Sequence, residues 1–150
     1  MQKYVAGLLF SEDLTRVLLI EKQKPEWQSG LLNAIGGKIE TDRAEGPKEA
    51  MEREFWEEVK YTHPFCPSEY KPELFWSDFC ILRGKDFEVV FFCATSSDMC
   101  FASNEEEQVG VYAVDDIINQ ATIENIPWLV YAAVDHLQDG RPVMLEVRYP

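Results

Sequence analysis

The sequence predicts a mixed α/β architecture, an α/β/α sandwich built on a mixed β-sheet. Three observations carry that expectation. Short apolar runs of strand length recur along the chain, two segments of helical period interrupt and close the series, and 150 residues at 46% hydrophobic composition supply one packed core but not two. A single domain over residues 1–150 is therefore expected. In chain order, Val5 to Phe10 and Val17 to Ile20 are apolar runs flanking the polar stretch Ser11 to Thr15, which reads as a strand pair joined by a hairpin turn. Leu31 to Ile35 forms the next strand and runs into Gly36-Gly37. A helix follows from Pro47 to about Val59, with proline in the first turn, where its missing N–H has no role. Strands are predicted at Phe75 to Leu82 and Phe87 to Thr95, joined by Arg83-Gly84-Lys85-Asp86, and at Val109 to Val114. The last helix spans Pro127 to Leu137, where Leu129, Val130, Ala133, Val134 and Leu137 form one apolar stripe, and Gly140 is its stop. Strand order is not readable at this level.

With 14 basic and 27 acidic residues, the formal net charge of −13 repels polyanions. Nucleic acid polymers are poor partners for such a surface. A small phosphorylated ligand needs bridging cations to approach it, so the acidity favours a metal-dependent site. The four cysteines are widely spaced, have no CxxC pair, and share the chain with only two histidines, which excludes a structural zinc site of ordinary spacing. Cys80 and Cys93 lie within apolar strand runs, where a thiol packs as a small hydrophobe in a reduced protein. No basic leader with a cleavage site and no apolar run of spanning length is present, so a cytoplasmic protein without membrane contact is expected. Monomer and homodimer are equally open.

The chemistry is concentrated on the first helix. At 100° per residue, Glu54, Glu57 and Glu58 fall within an arc of about 100°, beside the apolar stripe of Met51, Phe55 and Val59. Glu54 and Glu58 form an i,i+4 like-charge pair that costs an isolated helix roughly 0.2–0.5 kcal/mol, so an offsetting cation is expected. Oxygen-only ligands of this kind suit Mg²⁺, or Mn²⁺ in its place. A glutamate-rich helix face is also common as a merely solvated surface, and Gly36-Gly37 weighs against that here. A double glycine at a strand end lets backbone approach a metal or phosphate closely. Arg53, four residues before Glu57, can orient that carboxylate by a charge-assisted hydrogen bond.

These residues resemble the Nudix hydrolase signature of Gly, five residues, Glu, seven residues, then Arg-Glu-apolar-x-Glu-Glu-x-Gly-apolar. Here it reads Gly37 to Glu45, seven further residues, then Arg53-Glu54-Phe55-Trp56-Glu57-Glu58-Val59-Lys60-Tyr61. Two departures stand out. Seven residues rather than five precede Glu45, which bears on the role of that side chain, and Lys60 replaces the glycine that ends the family's helix, which disfavours a left-handed cap. The resemblance implies the Nudix α/β/α sandwich and metal ligands at Gly36 through its carbonyl and at Glu54, Glu57 and Glu58. It also implies a further ligand from the loop before the late strand, among Glu105, Glu106 and Glu107, with spacing favouring Glu106.

The activity implied is Mg²⁺-dependent hydrolysis of a phosphoanhydride in a nucleoside triphosphate, an oxidised or non-standard purine nucleotide included, to the monophosphate and pyrophosphate. Glu54, Glu57 and Arg53 are the candidate catalytic residues. Gly37 and Lys38 lie where the diphosphate would sit, and Asn33, Glu124 and Asn125 resemble base-contacting positions of a subfamily that sanitises oxidised purine nucleotides. Asn125 ahead of Trp128 also fits a plain helix cap beside a core tryptophan. Two alternatives remain: a pyrophosphatase for ADP-ribose or a dinucleotide, and a non-catalytic nucleotide-sensing module. Loss of a signature carboxylate would have favoured the module, and all three are present.

Overall fold

The computed structural model describes residues 1–140 and 145–150. Its strands are β1 (Gln2–Ser11), β2 (Arg16–Glu21), β3 (Leu32–Asn33), β4 (Ile35–Lys38), β5 (Val59–Tyr61), β6 (Ser77–Arg83), β7 (Phe87–Ser96), β8 (Phe101–Ser103), β9 (Val109–Ala113) and β10 (Leu145–Arg148). The helices are α1 (Pro47–Glu58) and α2 (Ile126–Asp139).

The continuous apolar run in β1 makes it the central strand, buried on both faces. It pairs in parallel with β7 from Gln2↔Phe87 to Ser11↔Ser96. Its other edge is shared, β4 taking Tyr4 to Gly7 and β2 taking Leu9 and Phe10, both antiparallel. The mixed sheet runs β10-β6-β7-β1-β2-β3, with β9 on β2, and β5-β8 form a separate antiparallel pair. Alternation along β1 sorts its side chains between two cores. Ala6, Leu8 and Phe10 pack with Ile126, Leu129, Val130 and Ala133 of α2, while Val5 and Leu9 pack with Ala50, Met51 and Phe55 of α1. The expected sandwich is therefore present. Full burial of Met51 and Phe55 contributes roughly 1.5–3 kcal/mol each, which pins the face of α1 that looks at the sheet.

The hairpin at 11–15 is held by Asp13, whose carboxylate accepts from the Ser11 and Thr15 hydroxyls and the Thr15 N–H. The expected strand over Leu31 to Ile35 is broken at Ala34, because Leu32–Asn33 follows β2 while Ile35–Lys38 crosses to β1. The Asn33 side chain accepts the Ala34 N–H at 2.8 Å, replacing the lost ladder bond. Strands β5, β8 and β10 were not legible as apolar runs, being three or four residues long. Gly140, at φ 61°, ends α2 as expected. Cys80 and Cys93 are buried in β6 and β7, where burial pushes their thiols up to about 11 and about 12.

Candidate active site

Helix α1 begins on Gly46 and Pro47 and lies against the sheet closely enough that a Cβ on Gly7 would stand 2.7 Å from the Met51 side chain. With Ala50, Met51 and Phe55 inward, Arg53 and Glu54 are carried to the edge facing β4. The two glycines there are each required by a different neighbour. A Cβ at Gly36 would lie 1.9 Å from the Val5 carbonyl oxygen, and one at Gly37 would lie 2.4 Å from the Glu54 carboxylate. Glu54 thus rests directly on the Gly37 backbone, in space that any side chain at 37 would fill.

Arg53 is the hub of this edge. Its Nε and Nη2 donate to both oxygens of Glu45 at 2.7 and 3.0 Å, its Nη1 donates to Glu54 and Glu57 at 2.9 and 3.0 Å, and Nη2 also donates to the Lys38 carbonyl at 3.1 Å. The planar guanidinium is used as a fork on one carboxylate and a bridge to two more. Glu45 also accepts the Glu40 N–H at 3.0 Å. The Arg53 guanidinium holds the Glu45 carboxyl down to about 2. Burial pushes Glu54 the other way, above the ordinary carboxylate range, against the opposing pull of Arg53. Lys38, by contrast, has an exposed side chain and joins the cluster through its carbonyl.

Glu58, at the far end of the helix, belongs to a second acidic group. Burial raises its carboxyl, the charges of Glu105 and Glu107 add to that, and Lys22 opposes it. Glu107 is itself tied down, accepting from Lys22 Nζ at 2.8 Å and from the Gln23 and Lys24 N–H groups. Of the three loop acids, Glu105 and Glu106 are exposed and Glu107 is half-buried, and the charges of Glu105 and Glu107 act on Glu58. Asn104 closes the helix end, its N–H donating to the Glu58 carbonyl at 2.8 Å and its amide to the Glu57 carbonyl at 3.2 Å. Neither Asn104 nor Lys22 was legible in advance, since their contacts join segments 47 and 85 residues apart.

The candidate base-contacting residues lie on two segments bridged at the β3 edge. Leu32 bridges in parallel to Thr122, its N–H donating to the Ala121 carbonyl and its carbonyl accepting from the Ile123 N–H, so the strand of Asn33 runs beside the segment that leads into Glu124 and Asn125. Asn33 donates to Gln28 at 3.2 Å, and Glu124 is exposed. Asn125 occupies the cap position of α2 but makes no capping side-chain bond. Its amide carbonyl accepts the Trp128 indole N–H at 3.3 Å and its amide N–H donates to the Tyr149 hydroxyl.

A NUDIX domain family model matches residues 1–134. The chain belongs to the Nudix family. No curated protein sequence matches it. Among solved structures it is similar to a NUDIX hydrolase from Nitrosomonas europaea, at 17% identity and TM-score 0.71, covering 99% of this chain and 78% of that one. It is similar to a MutT protein studied from Aliivibrio salmonicida and Vibrio cholerae, at 23% identity and TM-score 0.67, covering 89% and 98%. It is also similar to the NUDIX domain of Shewanella oneidensis NrtR complexed with ADP ribose, at 17% identity and TM-score 0.71, covering 90% and 87%. The family agrees with the expected class, a Nudix nucleotide pyrophosphohydrolase, and the neighbours share its fold. No helix among the described residues is long and apolar enough to cross a membrane.

Both departures from the Nudix signature have local explanations. The two extra residues before Glu45 are taken up by a 3-10 turn at Thr41–Arg43 and by Ala44 in the left-handed region at φ 55°, which returns Glu45 to Arg53. At the other end α1 passes straight into β5 through Val59, whose φ of −125° is extended, so Lys60 sits in a strand and no left-handed cap is needed. Nudix hydrolases generally use divalent metals, and the donor set here is chemically suited to one: oxygen-only, anionic, and partly shielded, with Glu54 Oε2 free of hydrogen bonds among the described residues. Among the described residues no three His, Cys, Asp or Glu side chains already stand in a metal-holding group. Arg53 draws Glu54 and Glu57 together, and Glu58 feels the charges of both the loop acids Glu105 and Glu107 and of Glu54.

Proposed function

We propose that this Nudix chain hydrolyses a phosphoanhydride bond of a nucleoside triphosphate, an oxidised or non-standard purine nucleotide included, releasing the monophosphate and pyrophosphate. The observation that carries this is the Glu54 carboxylate, raised by burial and seated on Gly37 within an Arg53-ordered acid cluster. Glu54, Glu57, Glu58 and the Gly36 carbonyl would hold Mg²⁺ or Mn²⁺, with an acid of the 105–107 loop as a further ligand. Such a cation neutralises diphosphate charge and makes water more acidic. Arg53 does no chemistry in this reading; its three-carboxylate grip fixes Glu54 and Glu57 so that they need not reorganise on binding. Proton removal from water falls to Glu54, Glu57 or a loop acid, each a carboxylate within the acidic face. Asn33, and Glu124 and Asn125 on the segment that bridges to Leu32, offer amide and carboxylate groups suited to a purine edge. A second reading, a nucleoside diphosphate bearing another organic group, is favoured by the likeness to the NrtR domain that binds ADP ribose.

The test is turnover of dNTPs, 8-oxo-dGTP, ADP-ribose and dinucleoside polyphosphates, with and without Mg²⁺ or Mn²⁺, in the wild type and Glu57→Gln. Metal-dependent release of pyrophosphate or phosphate, lost by at least about 100-fold in a folded E57Q variant, is expected. Nucleotide binding without turnover in any arm would instead identify a sensing module, and normal turnover by E57Q would remove Glu57 from the mechanism.

A further inference from the structure

Strand β10 is the outermost strand of the mixed sheet and lies beyond residue 134, where the match to the family model stops. It pairs in parallel with β6, from Leu145↔Cys80 to Arg148↔Arg83, and no strand among the described residues covers its other edge. The Tyr149 N–H donates to the Arg83 carbonyl at 2.8 Å, so by strand alternation Leu145, Val147 and Tyr149 turn their N–H and carbonyl groups toward β6. Glu146 and Arg148 turn theirs outward, as an open template for a further strand. Their side chains are exposed on one face of this edge, and Leu145 and Tyr149 are exposed on the other. An edge protected against pairing carries one sign of charge or a bulge, whereas β10 carries one glutamate and one arginine.

Charge selects both the partner and the register. Antiparallel pairing of β10 with a second copy of itself sets outward residues against outward residues, which allows two-fold axes at 146, 147 or 148. An axis at Glu146 opposes glutamate to glutamate. One at Arg148 opposes arginine to arginine and sets Glu146 against Pro150, which has no N–H to give. An axis at Val147 sets Glu146 against the second copy's Arg148 on both sides, each such pair exchanging backbone hydrogen bonds, and covers exposed Leu145 with the second copy's exposed Tyr149. Within one chain Arg148 Nε stands 2.8 Å from Glu146 Oε1 and Arg83 Nε stands 3.6 Å from the same oxygen, so across that axis the charges form an alternating belt. The net charge of −13 repels a second copy over the surface at large, which makes a self-complementary edge the favoured place of contact.

We propose that β10 joins a second copy of this chain across a two-fold axis at Val147, making one continuous sheet through a reversible homodimer. A strand of four residues is a short interface, so the dimer is concentration-dependent. Analytical ultracentrifugation of the wild type, Glu146→Arg, Arg148→Glu and the double charge swap, over about 10 µM to 1 mM, tests it. Each single reversal puts like charges opposite one another on both sides of the axis and should weaken association at least about tenfold, while the double swap should return it to within about threefold of the wild type. Circular dichroism, which these exposed positions should leave unchanged, checks that each variant is folded. A wild type that stays monomeric up to about 1 mM overturns the interface. A dimer that both single reversals leave intact also overturns it, because it must use another surface, as does a folded double variant that fails to recover. The register has its own test. Under oxidised glutathione Val147→Cys should cross-link to its counterpart, since residues at the axis face each other about 4.5 Å apart between Cα atoms, while Leu145→Cys, several residues from its counterpart, should cross-link no more than the wild type. Equal cross-linking of the two cysteine variants would overturn the axis at Val147.

Discussion

The two ends of the acidic face on α1 are built from the same residue type and treated in opposite ways. Around Arg53, one cation answers Glu45, Glu54 and Glu57 with near-ideal hydrogen bonds, and Glu45 is held down to about 2. Around Glu58, the cation that opposes its raised carboxyl is Lys22, which is bonded to Glu107 instead, so burial and the neighbouring acids keep Glu58 raised. The protein supplies its own counter-charge at the Arg53 end and leaves the Glu58 end without a bonded cation among the described residues. Glu54 stands at the boundary, oriented by Arg53 through one oxygen yet still raised by burial.

The strongest way to break this contrast is to remove the cation. Arg53→Ala leaves three carboxylates facing one another and orphans the Lys38 carbonyl. Breaking a fully buried pair costs about 3–5 kcal/mol, and the partial exposure of Arg53 with the half-exposed Glu57 discounts that to roughly 1–3. Urea unfolding should show this loss, and turnover should fall by more than about 100-fold because Glu54 and Glu57 lose their orientation. Arg53→Lys should rescue little, since a point charge cannot make the fork to Glu45 and the bridge to Glu54 and Glu57 together. A variant of normal stability would show that the hub is ornamental.

How much of this was readable beforehand follows from the range of each contact. The acid face, Arg53 beside Glu57, and the glycine pair are local patterns, and a helix of known period places them without knowledge of the rest. The sandwich was readable for the same reason, from apolar runs long enough to show a period. What failed were features set by distant neighbours. The split of the Leu31 to Ile35 run at Ala34 depends on two different partner strands, and the pairing of Glu107 with Lys22 depends on β2 meeting β9. Glu45 was an intermediate case. Counting residues left its role open because the loop is long, whereas the turn at Thr41–Arg43 shortens the path that the count could not see.

Acid should distinguish the two ends more gently than mutation. Glu45 has a folded value near 2 against an ordinary value near 4.5, so its ionised form is favoured by the folded state. Its contribution to stability is complete above about pH 4.5 and is lost as the pH falls through that range toward 2. Glu58, whose carboxyl is raised, contributes in the opposite sense and loses stabilising weight as pH rises through its folded value. Replacing Glu45 by Gln should therefore lower stability at neutral pH and flatten the acid limb of a stability curve measured by urea unfolding from pH 2 to 6. An equally steep limb in E45Q would assign the acid sensitivity elsewhere.

The smallest expected effect tests what holds the Arg53 end in place. Ala44 stands in the left-handed region at φ 55°, a conformation that costs a residue with a Cβ roughly 1–2 kcal/mol and glycine nothing. Glycine in turn loses more freedom on folding, by roughly 0.5–1 kcal/mol. Ala44→Gly should consequently stabilise the protein by about 0.5 kcal/mol in urea unfolding. Turnover separates two accounts of why Glu45 reaches Arg53. If the ion pair sets the position, relaxing the turn leaves activity unchanged, because both carboxylate oxygens still lock onto the guanidinium. If the stiffness of Ala44 sets it, the more pliant loop lowers activity even as stability rises. The bidentate geometry favours the ion pair, and a stabilised variant with impaired turnover would reverse that assignment.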